Sequence, residues 1–243
     1  MVWRYMELSR FLWMLRESKL YFSRVAEFKN DPYEGTIPFV NANQIDEMLR
    51  AGYGLQSKLA AISCWHMNDV ESVAMWKLYV EGPDGVAIQT RIGALKKLDE
   101  GSSFVIGKVR YMNYETEPQP RFVDSLRSLQ PYLPIFQKRK SYQHEQEARV
   151  VILKPGDIPG ERLVPLERNA GDTGFGVPVR LSDLIERIVV SPEFPPFGIA
   201  SLQRDVDAAG LKINVEKSDL LKPPNRGCDE ALRRLIQLGS ENA

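Results

Sequence analysis

The sequence Ser141-Tyr-Gln-His-Glu-Gln-Glu-Ala-Arg-Val-Val-Ile-Leu153 joins a polar segment to a run of β-branched and apolar residues. In its second half polar and apolar residues partly alternate, and residues that favour strands are frequent, which predicts a β-strand over 147–153. Because side chains alternate across a strand, Glu145, Glu147 and Arg149 are expected on one face. Paired carboxylates raise each other's proton affinity unless a cation compensates them. The pattern therefore indicates either a charged site or an exposed strand edge whose charges prevent aggregation.

The segments around this stretch predict the fold class. Short apolar runs bounded by turn residues predict further strands at 20–25, 61–66, 86–90 and 104–114. A longer helix is predicted over 122–142, broken near Pro131 and Pro134, and helices alternate with strands from 181 to 215. No repeat or polar linker divides the chain. We therefore predict one α+β domain over residues 1–243, with a single mixed sheet flanked by helices; a split near residue 160 is the alternative.

Composition excludes several classes of protein. Of the 243 residues, 43% are hydrophobic and 26% are charged, which is typical of a globular chain rather than a disordered, collagenous or membrane-spanning one. Lys and Arg total 32 and Asp and Glu total 32, so binding to nucleic acid or anionic lipid would need a local patch. Lys138-Arg-Lys140 is a candidate for such a patch, although runs of this kind are more often solvated helix ends.

The cysteines and the amino-terminal segment indicate the cellular compartment of the protein. Cys64 and Cys228 lack the paired spacing of a zinc or redox site, which suits a reducing cytoplasm. The first residues mix apolar and charged side chains, unlike a signal peptide, and no apolar run approaches the roughly 20 residues that span a bilayer. We expect a cytoplasmic protein that binds neither a membrane nor a metal.

Two predicted strands carry arginines that could bind an anion. Arg4 lies between two aromatic residues, an unusual position in a first strand unless its guanidinium faces a cleft or an anion. Ser23 and Arg24 place a hydroxyl and a second guanidinium at the end of another strand. Arg24 could equally form an ion pair with Asp31 or Glu34 that fixes the next loop.

Three aromatic residues could form the wall of a binding pocket. Trp65, Trp76 and Tyr79 would suit a nucleotide base or a nicotinamide ring, although most such residues belong to a protein core.

Several motifs together resemble a bacterial family known only as domain of unknown function 2971. They are Trp3-Arg-Tyr-Met6, Leu20-Tyr-Phe-Ser-Arg24, Asp31-Pro-Tyr-Glu-Gly35, Ser63-Cys-Trp-His66, Ala74-Met-Trp-Lys-Leu-Tyr79, Gly85-Val-Ala-Ile88, His144-Glu-Gln-Glu-Ala-Arg149 and Ile188-Val-Val-Ser-Pro192. The resemblance spans most of the chain. It implies an association with abortive-infection defence against phage and assigns no activity.

The chain has an arginine on its first predicted strand, a serine at the end of a later strand and a Glu-x-Glu entering another. This order also resembles the ADP-ribosyltransferase superfamily of the arginine–serine–glutamate type. This resemblance implies an ADP-ribosyltransferase-like fold with NAD as substrate. It implies that Arg4 holds the NAD phosphate or ribose and that Ser23 orients the nicotinamide-side ribose. It further implies that Glu147 binds the 2′-hydroxyl of that ribose and that Glu145 assists the acceptor. In place of that family's Ser-Thr-Ser element the chain has Phe22-Ser23-Arg24.

These observations predict a toxin-like or phage-defence protein that binds NAD or a related nucleotide and transfers or cleaves its ADP-ribose. They leave open whether the acceptor is protein, nucleic acid or water, and whether a neutralising partner exists. One alternative is a metal-dependent nuclease that uses Asp31, Glu34, Glu145 and Glu147 as oxygen ligands for Mg²⁺. The other is a ligand-sensing or protein-binding module whose arginines and aromatic residues form a pocket without catalysis.

Overall fold

Strands dominate the part of the chain that the computed structural model describes, which comprises residues 1–25, 28, 31–42, 47, 50, 53–54, 60–99, 104–118, 132–152 and 173–223. The strands in these ranges are β1 (Val2–Glu7), β2 (Lys19–Arg24), β3 (Ala61–Met67), β4 (Gly85–Thr90), β5 (Phe104–Lys108), β6 (Arg110–Met112), β7 (Gln137–Arg139), β8 (Glu147–Ile152), β9 (Gly174–Pro178), β10 (Arg187–Val190) and β11 (Val215–Lys217). Nine of them form one sheet, and β6 pairs with β7 in a separate parallel pair.

The large sheet is built around β3. One edge of β3 pairs antiparallel with β8 from Ala61 to His66, and β8 pairs in turn with β5. The other edge of β3 pairs with two strands, with β2 at its start and with β1 at its end. β2 continues to β9, whereas β1 continues to β4, β10 and β11. Only β10 and β11 run parallel within this sheet, so the predicted mixed sheet is confirmed.

Six short α-helices have both ends within the described ranges: α1 (Leu8–Glu17), α2 (Phe39–Ala42), α3 (Val73–Tyr79), α4 (Ile92–Lys96), α5 (Leu181–Leu184) and α6 (Pro196–Ala208). α1 connects β1 directly to β2 and buries Phe11, Met14 and Leu15, which recur at helical spacing. α3 begins at Ser72, whose hydroxyl accepts a hydrogen bond from the Met75 amide at 3.3 Å. Within the described ranges, no helix has the length and apolar character needed to span a membrane.

The two faces of the sheet bury different clusters. The largest cluster joins the sheet to α1, α5 and α6 and includes Phe11, Leu20 and Ile88. On β1 the side chains of Val2 and Met6 belong to it, while Trp3 and Tyr5 pack against α3 in a second cluster. A third cluster, around Ile62, Ile135 and Val151, covers part of β3 and β8. Arg4 therefore starts from the same face of β1 as Val2 and Met6.

Most predicted strands are confirmed within a few residues, and strands from both sides of residue 160 pair in the same sheet. The helical stretch predicted over 122–142 is wrong at Gln137–Arg139, which is a strand, while 132–136 and Lys140–Glu145 are 3₁₀-helical. Pairing of Gln137–Arg139 with the distant Arg110–Met112 overrides the local preference for a helix. Residues 119–131 of the chain lie outside the described part.

Candidate active site

A fork in the sheet creates the site. Between the residues of β3 that pair with β2 and those that pair with β1, Ser63, Cys64 and Trp65 pair with neither of these two strands. β1 and β2 therefore diverge on this edge of β3, while β8 pairs with β3 along the other edge. The gap between β1 and β2 lets a side chain that starts on one face of the sheet reach a cleft on the other face.

Arg4 occupies this fork. Its Nη1 donates a hydrogen bond to the Ser63 hydroxyl at 2.6 Å, and its Nη2 donates to the Tyr21 carbonyl at 2.8 Å. The guanidinium also lies 5.8 Å from the centre of the Trp65 ring. Among the described residues no carboxylate pairs with Arg4, and burial lowers the pKa of Arg4 to about 10. A guanidinium placed in this way is suited to binding an anion.

A cluster of alternating charges lies at the start of β8. The Lys138 ammonium donates to Glu145 at 2.6 Å and to Glu147 at 2.7 Å. Arg149 donates from Nε to the other oxygen of Glu147 at 2.7 Å, and its two terminal nitrogens bind both oxygens of Glu34 at 2.5 and 3.2 Å. Each of these five side chains is buried or nearly buried. Each member of the cluster faces an opposite charge, as buried ionic groups require.

The sequence predicts that Glu145, Glu147 and Arg149 share one face of a strand. Only Glu147 and Arg149 do so, because Glu145 lies outside β8. Glu145 is the last residue of the 3₁₀ helix, and Gln146 adopts a left-handed conformation, with φ of 41°, before β8 begins. The Nδ1 of His66 donates to the Glu145 carbonyl at 2.7 Å and holds this turn against β3. Glu145 thus reaches Lys138 through a turn, not through strand alternation.

The two glutamates have opposite pKa shifts. Burial, together with a hydrogen bond that Glu145 donates to Glu147 when protonated, raises the pKa of Glu145 to about 7. Burial would also raise the pKa of Glu147, but the charges of Arg149 and Lys138 hold it well below its usual range. The pair therefore combines a permanently ionised carboxylate with one that exchanges a proton near neutral pH.

A cleft of about 410 Å³ connects the fork with this cluster. The predicted site residues that line it are Arg4, Ser23, Trp65, Tyr79, Glu145 and Glu147. Tyr79 is 43% exposed at the rim, and its hydroxyl donates to Glu145 at 3.1 Å. The arginine near the start of the chain and the carboxylates past its middle thus share one cavity.

Two other predicted binding residues lie outside this cleft. Trp76 packs with Trp3 and Tyr5 in the cluster beneath α3, and its indole N–H donates to Glu71 at 3.1 Å. Arg24 pairs through its backbone with Ala61 at the end of β2. The alternative ion pair of Arg24 with Asp31 or Glu34 is not formed, because Asp31 pairs with Arg139 at 2.9 Å and Glu34 pairs with Arg149.

The sequence reasoning missed Ser63 and Lys138. Ser63 supplies the hydroxyl that accepts from Arg4, whereas Ser23 lines the cleft without that contact. Alternation in β3 could have indicated Ser63, because it shares a face with Ala61 and Trp65. Lys138 is only 6% exposed and joins the two glutamates, so it is not the solvated helix end that its basic run suggested.

The four carboxylates of the nuclease alternative all line the cleft but do not face one another as metal ligands. Asp31, Glu34 and Glu147 each pair with an arginine, and Lys138 joins Glu145 to Glu147. In the ranges that the structure describes, no group of His, Cys, Asp or Glu side chains has the arrangement of a metal site. Three cations already neutralise the oxygens that Mg²⁺ would need.

Comparison with protein-family models, with curated proteins and with solved structures gave no match. Any function assigned to the cleft therefore rests on the geometry and charges of its residues.

Proposed function

We propose that the cleft binds NAD or a related nucleotide and transfers or cleaves its ADP-ribose. One observation carries this proposal: Arg4 and Glu147 line the same cavity, although they are 143 positions apart in the sequence. A cavity of about 410 Å³ falls within the range of small-molecule sites. It offers a guanidinium without a carboxylate partner among the described residues, and an ionised carboxylate.

The proposed reaction uses the two glutamates differently. The bond between the ribose C1′ and the nicotinamide nitrogen breaks, its electron pair leaves with nicotinamide, and the ribose becomes an oxocarbenium-like cation. Glu147 is ionised at neutral pH and held by Lys138 and Arg149, so its charge is in place to stabilise this cation. An acceptor oxygen then bonds to C1′ and gives its proton to Glu145, whose pKa of about 7 suits that transfer.

The test follows nicotinamide release and the fate of the label from NAD labelled in its adenylate part, with the full chain alone and with added bacterial lysate. We expect nicotinamide release or labelled macromolecules, insensitive to EDTA. Glu147→Gln should lower the rate by roughly 10²–10³-fold, the usual effect of removing one electrostatic contact to a transition state. Glu117→Gln is the matched control, because Glu117 also pairs with a lysine, Lys140, but is partly exposed to solvent and does not line the cleft.

Three outcomes would contradict the proposal. Undiminished turnover by Glu147→Gln would remove this residue from the chemistry. Loss of activity in EDTA would favour the metal-dependent alternative. Calorimetric binding of NAD without any product would identify a ligand-sensing module.

A further inference from the structure

A second cavity of about 320 Å³ lies between β1, α1 and β2. Met14 and Leu20 give it an apolar wall, and Trp13 and Tyr21 add aromatic rings in an edge-to-face contact with 5.9 Å between their centres. Trp13 is only half-buried, so part of its ring remains open to a ligand. Apolar walls with an accessible aromatic ring suit a nucleotide base, which stacks on such rings.

This cavity adjoins the cleft. Arg4, Tyr5 and Arg10 line both. Arg4 uses two of its N–H groups in the bonds to Ser63 and Tyr21, and a guanidinium carries five, so three remain for a ligand. Arg10 is exposed, and no carboxylate pairs with it in the part of the chain described here.

Two unneutralised guanidiniums at one junction repel each other. Their mutual repulsion contributes, after burial, to the lowered pKa of Arg4. A diphosphate compensates two such charges at once and matches the fork of N–H donors on each guanidinium.

We infer that the cavity between β1, α1 and β2, called the α1 cavity below, binds a nucleoside diphosphate group together with the region where it meets the cleft. The base would lie beside Trp13 and the diphosphate on Arg4 and Arg10. The inference rests on the proposed function in that this group would be the adenosine diphosphate part of NAD. The cleft would then hold the ribose whose bond is broken.

Calorimetry on the full chain with ADP, inorganic diphosphate and nicotinamide riboside tests the assignment. ADP should bind, and Arg10→Gln should weaken ADP and diphosphate about tenfold, the effect of losing about 1.4 kcal/mol. Nicotinamide riboside lacks the diphosphate, so its affinity should not change. Arg16→Gln is the matched control, because Arg16 is an exposed arginine of the same helix that lines neither cavity.

A second variant separates the base from the phosphates. Trp13→Phe keeps an aromatic side chain but offers less surface for stacking, so ADP should bind more weakly while inorganic diphosphate binds as before. Loss of diphosphate binding in Trp13→Phe, or ADP binding that is unchanged in Arg10→Gln, would overturn the inference. So would an absence of ADP binding to the unmodified chain.

Failure of this inference is distinguishable from failure of the proposed function. If NAD releases nicotinamide and Arg10→Gln leaves its KM unchanged, the α1 cavity is not part of the site and the reaction still stands. If ADP binding depends on Arg10 and Trp13 but NAD is never cleaved, the nucleotide site stands and the reaction fails.

Discussion

Glu145 and Glu147 share one lysine, yet their pKa values move in opposite directions. Glu147 has a cation on each oxygen, Lys138 on one and Arg149 on the other. Glu145 receives Lys138 and the neutral hydroxyl of Tyr79 on a single oxygen. The two cations therefore keep Glu147 ionised, whereas burial determines the pKa of Glu145.

This difference predicts a pH dependence of stability. The folded protein holds the Glu145 proton more tightly than the unfolded chain, because the pKa rises from 4.5 to about 7 on folding. Its stabilising contribution is complete below pH 4.5 and is lost as the pH rises through about 7. Glu145 should thus lower the free energy of unfolding between pH 5 and 8 by at most about 1.4 kcal/mol per pH unit.

Urea unfolding across that pH range measures the effect. Glu145→Gln cannot ionise and keeps a hydrogen-bonding amide, so it should flatten the part of the slope that Glu145 contributes. Glu117→Gln changes a partly exposed carboxylate whose pKa is lowered, not raised, and should retain the slope. Identical slopes in all three proteins would show that Glu145 does not take up a proton in this range.

The charged residues of the site were largely predictable from the sequence, but their pairing was not. Glu-x-Glu before a strand and an arginine in the first strand are visible patterns, and these residues do line one cleft. The partner of Arg149 is Glu34, 115 positions away, and no local pattern links the two. Only the three-dimensional arrangement shows that Lys138 lies between the glutamates.

At the scale of elements, the turn between the 3₁₀ helix and β8 sets the position of Glu145. Gln146 is exposed, its amide donates to the Gln143 carbonyl, and its carbonyl accepts from the Met67 amide at 2.9 Å. The left-handed conformation of Gln146 ends one element and begins the next. Residues with a Cβ adopt this conformation at a cost of roughly 1–2 kcal/mol, and glycine adopts it readily.

The effect of substituting Gln146 on the free energy of unfolding should therefore depend only on how readily the new residue adopts the left-handed backbone conformation. Gln146→Gly should leave the free energy of unfolding unchanged or raise it by up to about 1 kcal/mol, and the β-branched Gln146→Val should lower it by about 1–2 kcal/mol. Gln143→Val is the control, since Gln143 is also exposed and lies in the preceding 3₁₀ helix but has no positive φ. Equal losses for both valine variants in urea unfolding would contradict this explanation.

The strands show what local sequence determines. Apolar runs such as Ala61–Met67 and Gly85–Thr90 were predictable because both faces of these strands are buried. Gln137–Arg139 was not, because three polar residues form a strand only through pairing with Arg110–Met112. The fork also has no local signal, since it depends on which strands pair with each end of β3.

At the scale of the whole molecule, two arginines of the sheet differ in whether carboxylates pair with them. Arg149 is fully buried and bound by Glu34 and Glu147 within the sheet. Arg4 is half-buried at the point where the sheet divides, and its described partners are a hydroxyl, a carbonyl and an aromatic ring. The fold thus neutralises Arg149 with two carboxylates, whereas no described carboxylate pairs with Arg4.

The same substitution at these two arginines should therefore have different effects. Arg149→Met leaves the buried Glu34 carboxylate without its cation and leaves Glu147 with Lys138 alone, so it should cost about 3–5 kcal/mol of the free energy of unfolding. Arg4→Met removes two hydrogen bonds but no described ion pair, so the unliganded protein should lose only about 1–2 kcal/mol. With ADP-ribose at 100 times its dissociation constant, the unmodified chain should gain about 2.7 kcal/mol, and Arg4→Met should gain far less. Urea unfolding with and without ADP-ribose measures all of these quantities. If Arg4→Met costs as much as Arg149→Met in the absence of ligand, Arg4 holds the two halves of the sheet together, and the cleft has no free cation for a nucleotide.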